Sequence, residues 1–352
     1  MIAAAMLTTI GTLLPAQRQY SLSASKVLIS EEDDLAPFTF VDARPDGVLL
    51  VGLSYDAQVL MLGSDGKRLR TIGRKGAGPG EFRRPAFGGW LGDSIWVYDA
   101  ELTRISFFTE DGRHLNDKRL PMLIGPPARV IATSSQQALV WTPFRAKPGA
   151  PAMYGLVRWS GDKTPVVPVI ASPQHNCRKT LPNNKWISVP YCSAIIWGSS
   201  RLGTYAAVLD PTASNLTGTG KLQITVVTGD GDTLYSRPMA THQVPLPEAT
   251  FDSVFDCLAG KLRVAVAAKD RPAAPKYHPA ASWVLLDQSG AVWTGQRLSI
   301  TTRWTRYDRA GNPQGFVVLP RLSRLVSVDG MTVYAIVVGT DDEESLVRYT
   351  VR

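Results

Sequence analysis

Three cysteines, four histidines and a scattered set of acids are the residues of this sequence with metal or redox chemistry. His175, Cys177 and Cys192 lie close together in the chain, and imidazole and thiolate ligands suit zinc or copper. If the chain is exported, a disulfide bond is a simpler prediction than a metal site, since disulfides persist in oxidising compartments. The predicted disulfide joins Cys177 to Cys192, closes one loop and leaves Cys257 free and buried.

Four acids fall at the ends of apolar runs, and their carboxylates are candidate ligands for a calcium-like divalent cation. They are Asp42, Asp99, Asp287 and Asp329. Aspartate is also common at strand ends because its side chain stabilises turns. The sequence contains no GxSxG nucleophile motif, and no Ser/His/Asp arrangement stands out. We therefore predict no catalytic residue, no metal and no cofactor.

The stretch IGRKGAGPGEFRRP, residues 72–85, crowds glycines beside charges. A phosphate-binding loop needs Lys-Ser/Thr after its last glycine, and a dinucleotide loop needs GxGxxG before a helix. The spacing of Gly76, Gly78 and Gly80 meets neither requirement. The prediction is structural: the glycines allow a sharp turn, Phe82 fills a gap in the core, and Glu81 hydrogen-bonds locally.

The elements around these residues are strands in a repeating pattern of two strand pairs closed by a glycine turn. Turns of the type SDG, EDG, SGD, GDG and RAG place glycines 66, 112, 161, 231 and 311 where a tight hairpin needs positive φ. The helical period is almost absent. Four-stranded antiparallel repeats without helices indicate the blades of a β-propeller.

Counting the repeats gives blades at about 36–85, 86–127, 128–175, 193–246 and 280–320, and a sixth from residue 321 to the end. The sixth has three evident strands, and the run YSLSASKVLIS at residues 20–30 has no blade of its own. We predict that this run completes the last blade, because closure removes an exposed sheet edge. The fold class is therefore an all-β, six-bladed β-propeller.

Two segments, at about 172–192 and 247–279, lie outside the blade pattern. The first reads as a long loop, and the second as a short helix near Pro247 followed by a proline-rich return. Insertions in a regular scaffold are often functional. Trp186 and Tyr191 in the first, and Tyr277 and His278 in the second, are the candidate ligand contacts. The remaining tryptophans are expected to pack between blades.

Residues 73–115, GRKGAGPGEFRRPAFGGWLGDSIWVYDAELTRISFFTEDGRHL, resemble an NHL-type repeat. The shared features are the glycine-rich loop, Gly-Glu-Phe, a proline, a strand that ends in Asp, an Arg-Ile pair and an Asp-Gly turn. The GPGEF form is similar to a group of bacterial six-bladed propellers related to NHL proteins, many of them exported. The resemblance implies this fold and names no ligand.

The amino-terminal run from Ile2 to Leu14 is apolar, too short for a membrane span, and followed by LPA ending at Ala16. Although it lacks a basic n-region, we interpret residues 1–19 as a signal peptide or disordered leader and 20–352 as one propeller domain. The location is then periplasmic or extracellular, with a cytoplasmic chain as the alternative. No transmembrane segment is predicted.

The formal net charge of +8 permits an acidic partner, but the basic residues are scattered and nucleic-acid binding is not favoured. We predict a monomeric, non-catalytic binding scaffold for a protein, peptide or glycan. The alternative is a propeller enzyme, lactonase-, hydrolase- or lyase-like, with a divalent metal in its central channel.

Overall fold

Six four-stranded antiparallel sheets form the blades of a β-propeller in the computed structural model of this protein. The structure describes residues 18–29, 38–120, 127–145, 150, 153–161, 167–172, 177–181, 186–193, 195–200, 204–210, 221–262, 266–320, 322–341 and 343–352. The predicted fold class is confirmed. The predicted leader, residues 1–19, lies almost wholly outside the described residues.

Within each blade the strands follow chain order, apart from β1, which belongs to the last blade. Blade 1 holds β2 (Phe38–Ala43), β3 (Leu49–Leu53), β4 (Gln58–Leu62) and β5 (Arg68–Ile72). Blade 2 holds β6 (Pro85–Leu91), β7 (Ser94–Asp99), β8 (Arg104–Thr109) and β9 (His114–Arg119). Blade 3 holds β10 (Arg129–Ala132), β11 (Ala138–Phe144), β12 (Met153–Trp159) and β13 (Val167–Ser172).

Blade 4 holds β16 (Ile196–Ser199), β17 (Tyr205–Asp210), β18 (Lys221–Thr228) and β19 (Thr233–Ala240). Blade 5 holds β20 (Trp283–Leu286), β21 (Val292–Arg297), β22 (Thr301–Tyr307) and β23 (Pro313–Pro320). Blade 6 holds β24 (Arg324–Asp329), β25 (Thr332–Val338), β26 (Glu344–Val351) and, as its outer strand, β1 (Leu22–Ile29).

The amino-terminal strand closes the ring, as the sequence predicted. β1 pairs antiparallel with β26, with Leu22 opposite Val351 and Ile29 opposite Leu346. Leu28 and Ile29 are buried in a core shared with blade 1. The pairing gives β26 a partner on both sides, so the carboxyl-terminal strand is not an edge strand of the blade.

The hairpin turns follow the glycine pattern. Glycines 66, 112, 161, 231 and 311 all have positive φ, between 78° and 91°. An L-residue with a side chain is strained in this region, so glycine is the residue that these turns require.

The glycine-rich stretch at residues 73–84 connects blade 1 to blade 2. The Phe82 side chain is fully buried between the two blades, with its ring 5.8 Å from that of Phe108. The Glu81 carboxylate accepts a hydrogen bond from the backbone N–H of Gly78 (2.8 Å) and one from Arg74 Nε (2.9 Å). The stretch is thus packed and hydrogen-bonded within the scaffold.

Arg104, on β8, stabilises the connection between blades 1 and 2 by hydrogen bonds to its backbone. Its guanidinium donates to the carbonyl oxygens of Ala77 (3.1 Å), Gly78 (2.6 Å) and Glu81 (2.7 Å), and forms an ion pair with Asp117 at 3.3 Å. The sequence pattern placed Arg104 in an Arg-Ile pair without indicating its partner. The structure shows that this arginine donates to three carbonyl oxygens of the sharp turn, one of which, that of Gly78, also accepts the Glu81 backbone N–H at 3.2 Å.

All connections between blades leave from one face of the ring. Neighbouring strands are antiparallel, so this face also carries the connections between the second and third strand of each blade. The two insertions, at about 172–192 and 247–279, both connect one blade to the next. We call this side the insertion face. No helix among the described residues is long and apolar enough to cross a membrane.

Candidate functional site

The two insertions fold against each other. The first is not only a loop, as the sequence suggested: it contains a two-stranded hairpin of β14 (Arg178–Thr180) and β15 (Trp186–Ser188). The second contains α1 (Glu248–Lys261) and a short 3-10 helix (Ala268–Asp270). The helix begins directly after Pro247, where the sequence predicted it. One apolar core unites the two segments, and its buried members are Leu181, Ile187, Leu246, Phe251, Phe255 and Ala259. We call this unit the insertion module.

A disulfide bond joins Cys177 to Cys192, with the Cα atoms 5.5 Å apart. It closes the first insertion at its base. His175, considered above as a metal ligand beside these cysteines, lies outside the described residues. Cys257 is free, as expected, but it is exposed on α1 and not buried. The helix turns its phenylalanines toward the core of the module, and this leaves Cys257 on the opposite side.

Charged and backbone contacts fix the second insertion in place. Arg271 forms ion pairs with Asp252 and Asp256 of α1, both at 2.7 Å, and its guanidinium lies 4.9 Å from the Phe255 ring centroid. The backbone on either side of the helix is paired as well. His278 N–H donates to the Val244 carbonyl at 2.9 Å. The side-chain amide of Gln296, on β21, also donates to the Pro279 carbonyl at 3.1 Å, and this contact ties the second insertion to blade 5.

Two of the four predicted contact residues meet at the junction of the insertions. The rings of Tyr191 and His278 pack edge to face, with 5.1 Å between centroids. Tyr277 is half-buried and its backbone bridges to Pro245. Trp186 lies apart from this pair, on β15, and its side chain is 53% exposed. Whether these four contact a ligand stays a prediction.

Tyr191 and His278 both show features that packing alone does not explain. Tyr191 has φ of 54°, in the left-handed region that a residue with a bulky side chain rarely adopts. Backbone strain of this kind concentrates at binding and catalytic sites. The His278 side chain is only 4% exposed, and its Nδ1 has no hydrogen-bond partner. Burial lowers the pKa of His278, so the ring is neutral at physiological pH.

A cleft of about 500 Å³ opens beside this pair, where the insertion module meets blade 5. We call it the insertion cleft, and it is lined by Pro190, Tyr191, Val254, Pro279, Ser282, Trp283, Arg297, Leu298, Ser299 and Leu322. Arg297 lies over Trp283, with its guanidinium carbon 5.0 Å from the ring centroid. The structure gives Arg297 no ion pair with any described residue.

A second cavity, also of about 500 Å³, is the central channel of the propeller. The first strands of all six blades line it. Six of the nine tryptophans contribute to its wall: Trp90, Trp96, Trp141, Trp197, Trp283 and Trp304. The sequence predicted only packing between blades for these residues. Five of them lie on the first or second strand of a blade and Trp304 lies on the third strand of blade 5, and together they make the channel wall aromatic.

The four acids considered as cation ligands do not converge. Asp42 lines the channel, and one of its carboxylate oxygens accepts a hydrogen bond from the backbone N–H of Trp90 at 2.8 Å. Asp99 is fully buried and accepts four backbone N–H groups at 2.7–2.9 Å. Asp287 caps a turn and pairs with Arg306, and Asp329 ends β24. Among the described residues, no group of three or more His, Cys, Asp or Glu side chains is arranged for a metal ion.

Solved structures share this architecture at low sequence identity. A protein of Bacteroides fragilis described as exported is 12% identical, with 97% of each chain covered and a TM-score of 0.53. A member of the DUF4221 family from Bacteroides vulgatus is 10% identical, with 96% of this chain and 99% of that chain covered and a TM-score of 0.54. The likeness is one of fold. A gluconolactonase of Xanthomonas campestris is 11% identical over 97% of each chain, at a TM-score of 0.48.

No protein-family model matches the sequence, and no curated protein resembles it significantly. The resemblance of residues 73–115 to an NHL-type repeat therefore stays a sequence-level likeness, while the propeller fold itself is shown.

The insertion face also carries exposed apolar side chains around the cleft. Trp186, Leu262, Ile300 and Leu322 are each between 38% and 74% exposed, and all four lie on the insertions or on connections of this face. Sequence reasoning named Trp186 but missed Trp283, Arg297 and Ile300, because they belong to blade 5 and follow its regular strand pattern.

Proposed function

We propose that this protein is an exported, non-catalytic binding propeller that holds a segment of a partner protein or peptide in its insertion cleft. The observation that carries the proposal is the cleft itself. It joins a strained tyrosine, a tryptophan and an arginine at the junction of two insertions that share one core. Recognition by a rigid scaffold and variable connections is the usual arrangement in binding folds.

The chemistry of the cleft favours a peptide segment that carries both apolar and acidic side chains. Tyr191, Trp283 and the exposed Leu322 offer apolar area, which protein interfaces enrich at their centre. Arg297 offers a guanidinium without a described carboxylate partner. The net charge of +8 attracts an acidic partner from a distance.

Export is supported by two independent features. The apolar run at residues 2–14 followed by LPA has the form of a secretory leader. The Cys177–Cys192 disulfide belongs to oxidising compartments such as the periplasm. Amino-terminal sequencing of the protein purified from its native compartment tests this directly. A mature chain that begins after Ala16 supports export, and a chain that retains residues 2–14 opposes it.

Selection from a random dodecapeptide library on the immobilised full chain tests the binding function. We expect enriched peptides to combine aromatic or aliphatic residues with Asp or Glu, and to bind in the micromolar range. Tyr191→Ala and Arg297→Gln should each weaken the best peptide at least tenfold. Leu69→Ala removes an apolar side chain that is 56% exposed on the outer strand β5, outside the cleft, and should not change the affinity for the peptide.

Peptides that bind the two cleft variants as tightly as the original chain would overturn the proposal. A glycan array tests the alternative that the cleft binds a sugar. Glycan binding that is lost with Tyr191→Ala, without any enriched peptide, assigns the cleft to a sugar and contradicts the peptide assignment.

A further inference from the structure

The central channel contains an arginine whose positive charge has no counter-charge among the described residues. Arg129, the first residue of β10, lines the channel from blade 3. Its guanidinium carbon lies 5.7 Å from the ring centroid of Phe87 and 5.3 Å from that of Trp197. These rings come from blades 2 and 4. No hydrogen bond or ion pair connects the guanidinium of Arg129 to another described residue.

The other arginine among the described lining residues differs in this respect. Arg324, the first residue of β24, forms an ion pair with Glu344 at 3.3 Å. Its charge is therefore balanced within blade 6, whereas the guanidinium of Arg129 has the faces of two aromatic rings, and no carboxylate, as its partners in the described part of the chain.

An unpaired cation is costly in this position. Arg129 is half-buried, and burial lowers the pKa of its guanidinium below the ordinary value because part of the water around the charge is lost. Charged groups removed from water are normally paired or hydrogen-bonded. A guanidinium has five N–H donors in one plane, and aromatic faces attract the charge without offering a lone pair. The donors of Arg129 therefore remain available to an acceptor from outside the chain.

The surroundings of Arg129 could bind the apolar part of a ligand whose acceptor group pairs with the guanidinium. The Trp197 ring is stacked on that of Trp141, with 6.2 Å between centroids and 19° between planes. The Phe87 ring is stacked on Tyr98 at 6.1 Å and 10°. Two flat aromatic surfaces thus flank the guanidinium, beside a cavity of about 500 Å³. Ligand sites typically combine an apolar wall with a few polar groups that fix orientation.

We propose that the central channel is a binding site for a small organic carboxylate with a flat apolar body. The carboxylate pairs with the guanidinium of Arg129, and the body lies against Phe87, Trp141 and Trp197. The pair is strong because Arg and carboxylate can form two parallel hydrogen bonds away from bulk water.

This site is distinct from the insertion cleft, and it does not depend on the function proposed above. Ser282 and Trp283 line both cavities, so the two sites adjoin at blade 5. Their arginines come from different blades. Arg129 serves the channel and Arg297 the cleft, so variants of one arginine test one site without removing the other.

Isothermal titration calorimetry on the full chain tests the channel site with three probes: 2-naphthoate, its neutral amide 2-naphthamide, and inorganic phosphate. We expect naphthoate to bind at micromolar to millimolar concentration. The amide should bind at least tenfold more weakly because it lacks the charge, and phosphate should bind weakly because it lacks the flat body.

Arg129→Gln should reduce naphthoate affinity to the level of the amide, while Arg297→Gln leaves it unchanged. Should Arg129→Gln fail to fold, Arg129→Lys keeps the charge but loses the paired hydrogen bonds, and should weaken naphthoate several-fold. Thermal melting of each variant without ligand reports folding separately. Trp197→Leu should lower the affinity for naphthoate and for the amide alike.

Three results would overturn the proposal. One is the absence of naphthoate binding to the original chain at millimolar concentration. The second is naphthoate affinity that survives in Arg129→Gln. The third is phosphate binding as tight as naphthoate binding, which would reveal a site for bare anions without a role for the aromatic wall.

Discussion

Tyr191 and His278 belong to different insertions, and their rings meet edge to face with 5.1 Å between centroids. The contact joins the disulfide-closed hairpin to the segment that returns from α1. It places a strained backbone next to a buried imidazole whose Nδ1 has no partner. The junction of the insertion module is therefore sensitive to the protonation of one histidine.

Stability should fall in mild acid through His278. Burial lowers its pKa in the folded protein below the value of about 6.5 in the unfolded chain. The unfolded chain then binds the proton more readily, so the free energy of unfolding decreases as the pH falls below about 6.5. The slope for one such group is at most about 1.4 kcal/mol per pH unit.

Urea denaturation between pH 5 and 8 measures this effect, and His278→Phe keeps an aromatic ring while removing the titration. The variant should show a shallower loss of stability than the original chain. Burial also lowers the pKa of His242, which supplies part of the remaining slope. An identical slope in both chains would refute the role of His278.

Removal of the disulfide should loosen the insertion module and leave the blades intact. Cys177 and Cys192 are 15 residues apart, and a closed loop of this size contributes about 3 kcal/mol in the chain-entropy model. Cys177→Ser with Cys192→Ser should speed hydrogen exchange in residues 177–193 and in α1. The exposed Cys257→Ser is the control and should not alter exchange. Faster exchange throughout the blades would contradict a local role.

Arg104→Lys should destabilise the connection between blades 1 and 2. Lysine has no planar fork with which to reach three carbonyl oxygens, so at least one of these part-buried hydrogen bonds is lost. We expect a loss of about 1–3 kcal/mol in the free energy of unfolding. Arg74→Lys, at an arginine that is 80% exposed, should have little effect on the same measurement. Equal effects of the two variants would show that Arg104 is not needed for the turn.

Trp186→Ala should weaken peptide binding without changing stability. The side chain is 53% exposed, so its removal creates no cavity, whereas tryptophans in interfaces often contribute more than 1 kcal/mol to binding. Affinity for a library-selected peptide should fall at least fivefold by calorimetry, and the melting temperature should stay constant. Unchanged affinity would place Trp186 outside the contact surface.

Loss of β1 should open the ring. A chain that begins at Phe38 lacks the strand that covers β26 and the buried Leu28 and Ile29, and the exposed edge should promote association. We expect a lower melting temperature and concentration-dependent aggregation by light scattering. A chain that begins at Arg18 keeps β1 and is the matched control. A monomeric, equally stable chain beginning at Phe38 would show that closure by β1 is dispensable.

The blades, their number and their closure could be predicted because their signals are local. Strand alternation and the positive φ of turn glycines such as Gly112 and Gly231 depend on a few neighbouring residues. The closing role of β1 followed from counting, since one blade lacked a strand and one strand lacked a blade. The helix after Pro247 and the candidate contacts Tyr191 and His278 also came from departures in a regular pattern.

Tertiary structure alone decided which distant residues meet. The partner carbonyls of Arg104, the common core of the two insertions and the exposure of Cys257 depend on packing between segments far apart in the chain. The same holds for Arg129, since the aromatic rings that its guanidinium contacts come from the two neighbouring blades. A strand pattern shows which side chains share a face of one sheet, but it does not show what six sheets bring together at their common axis.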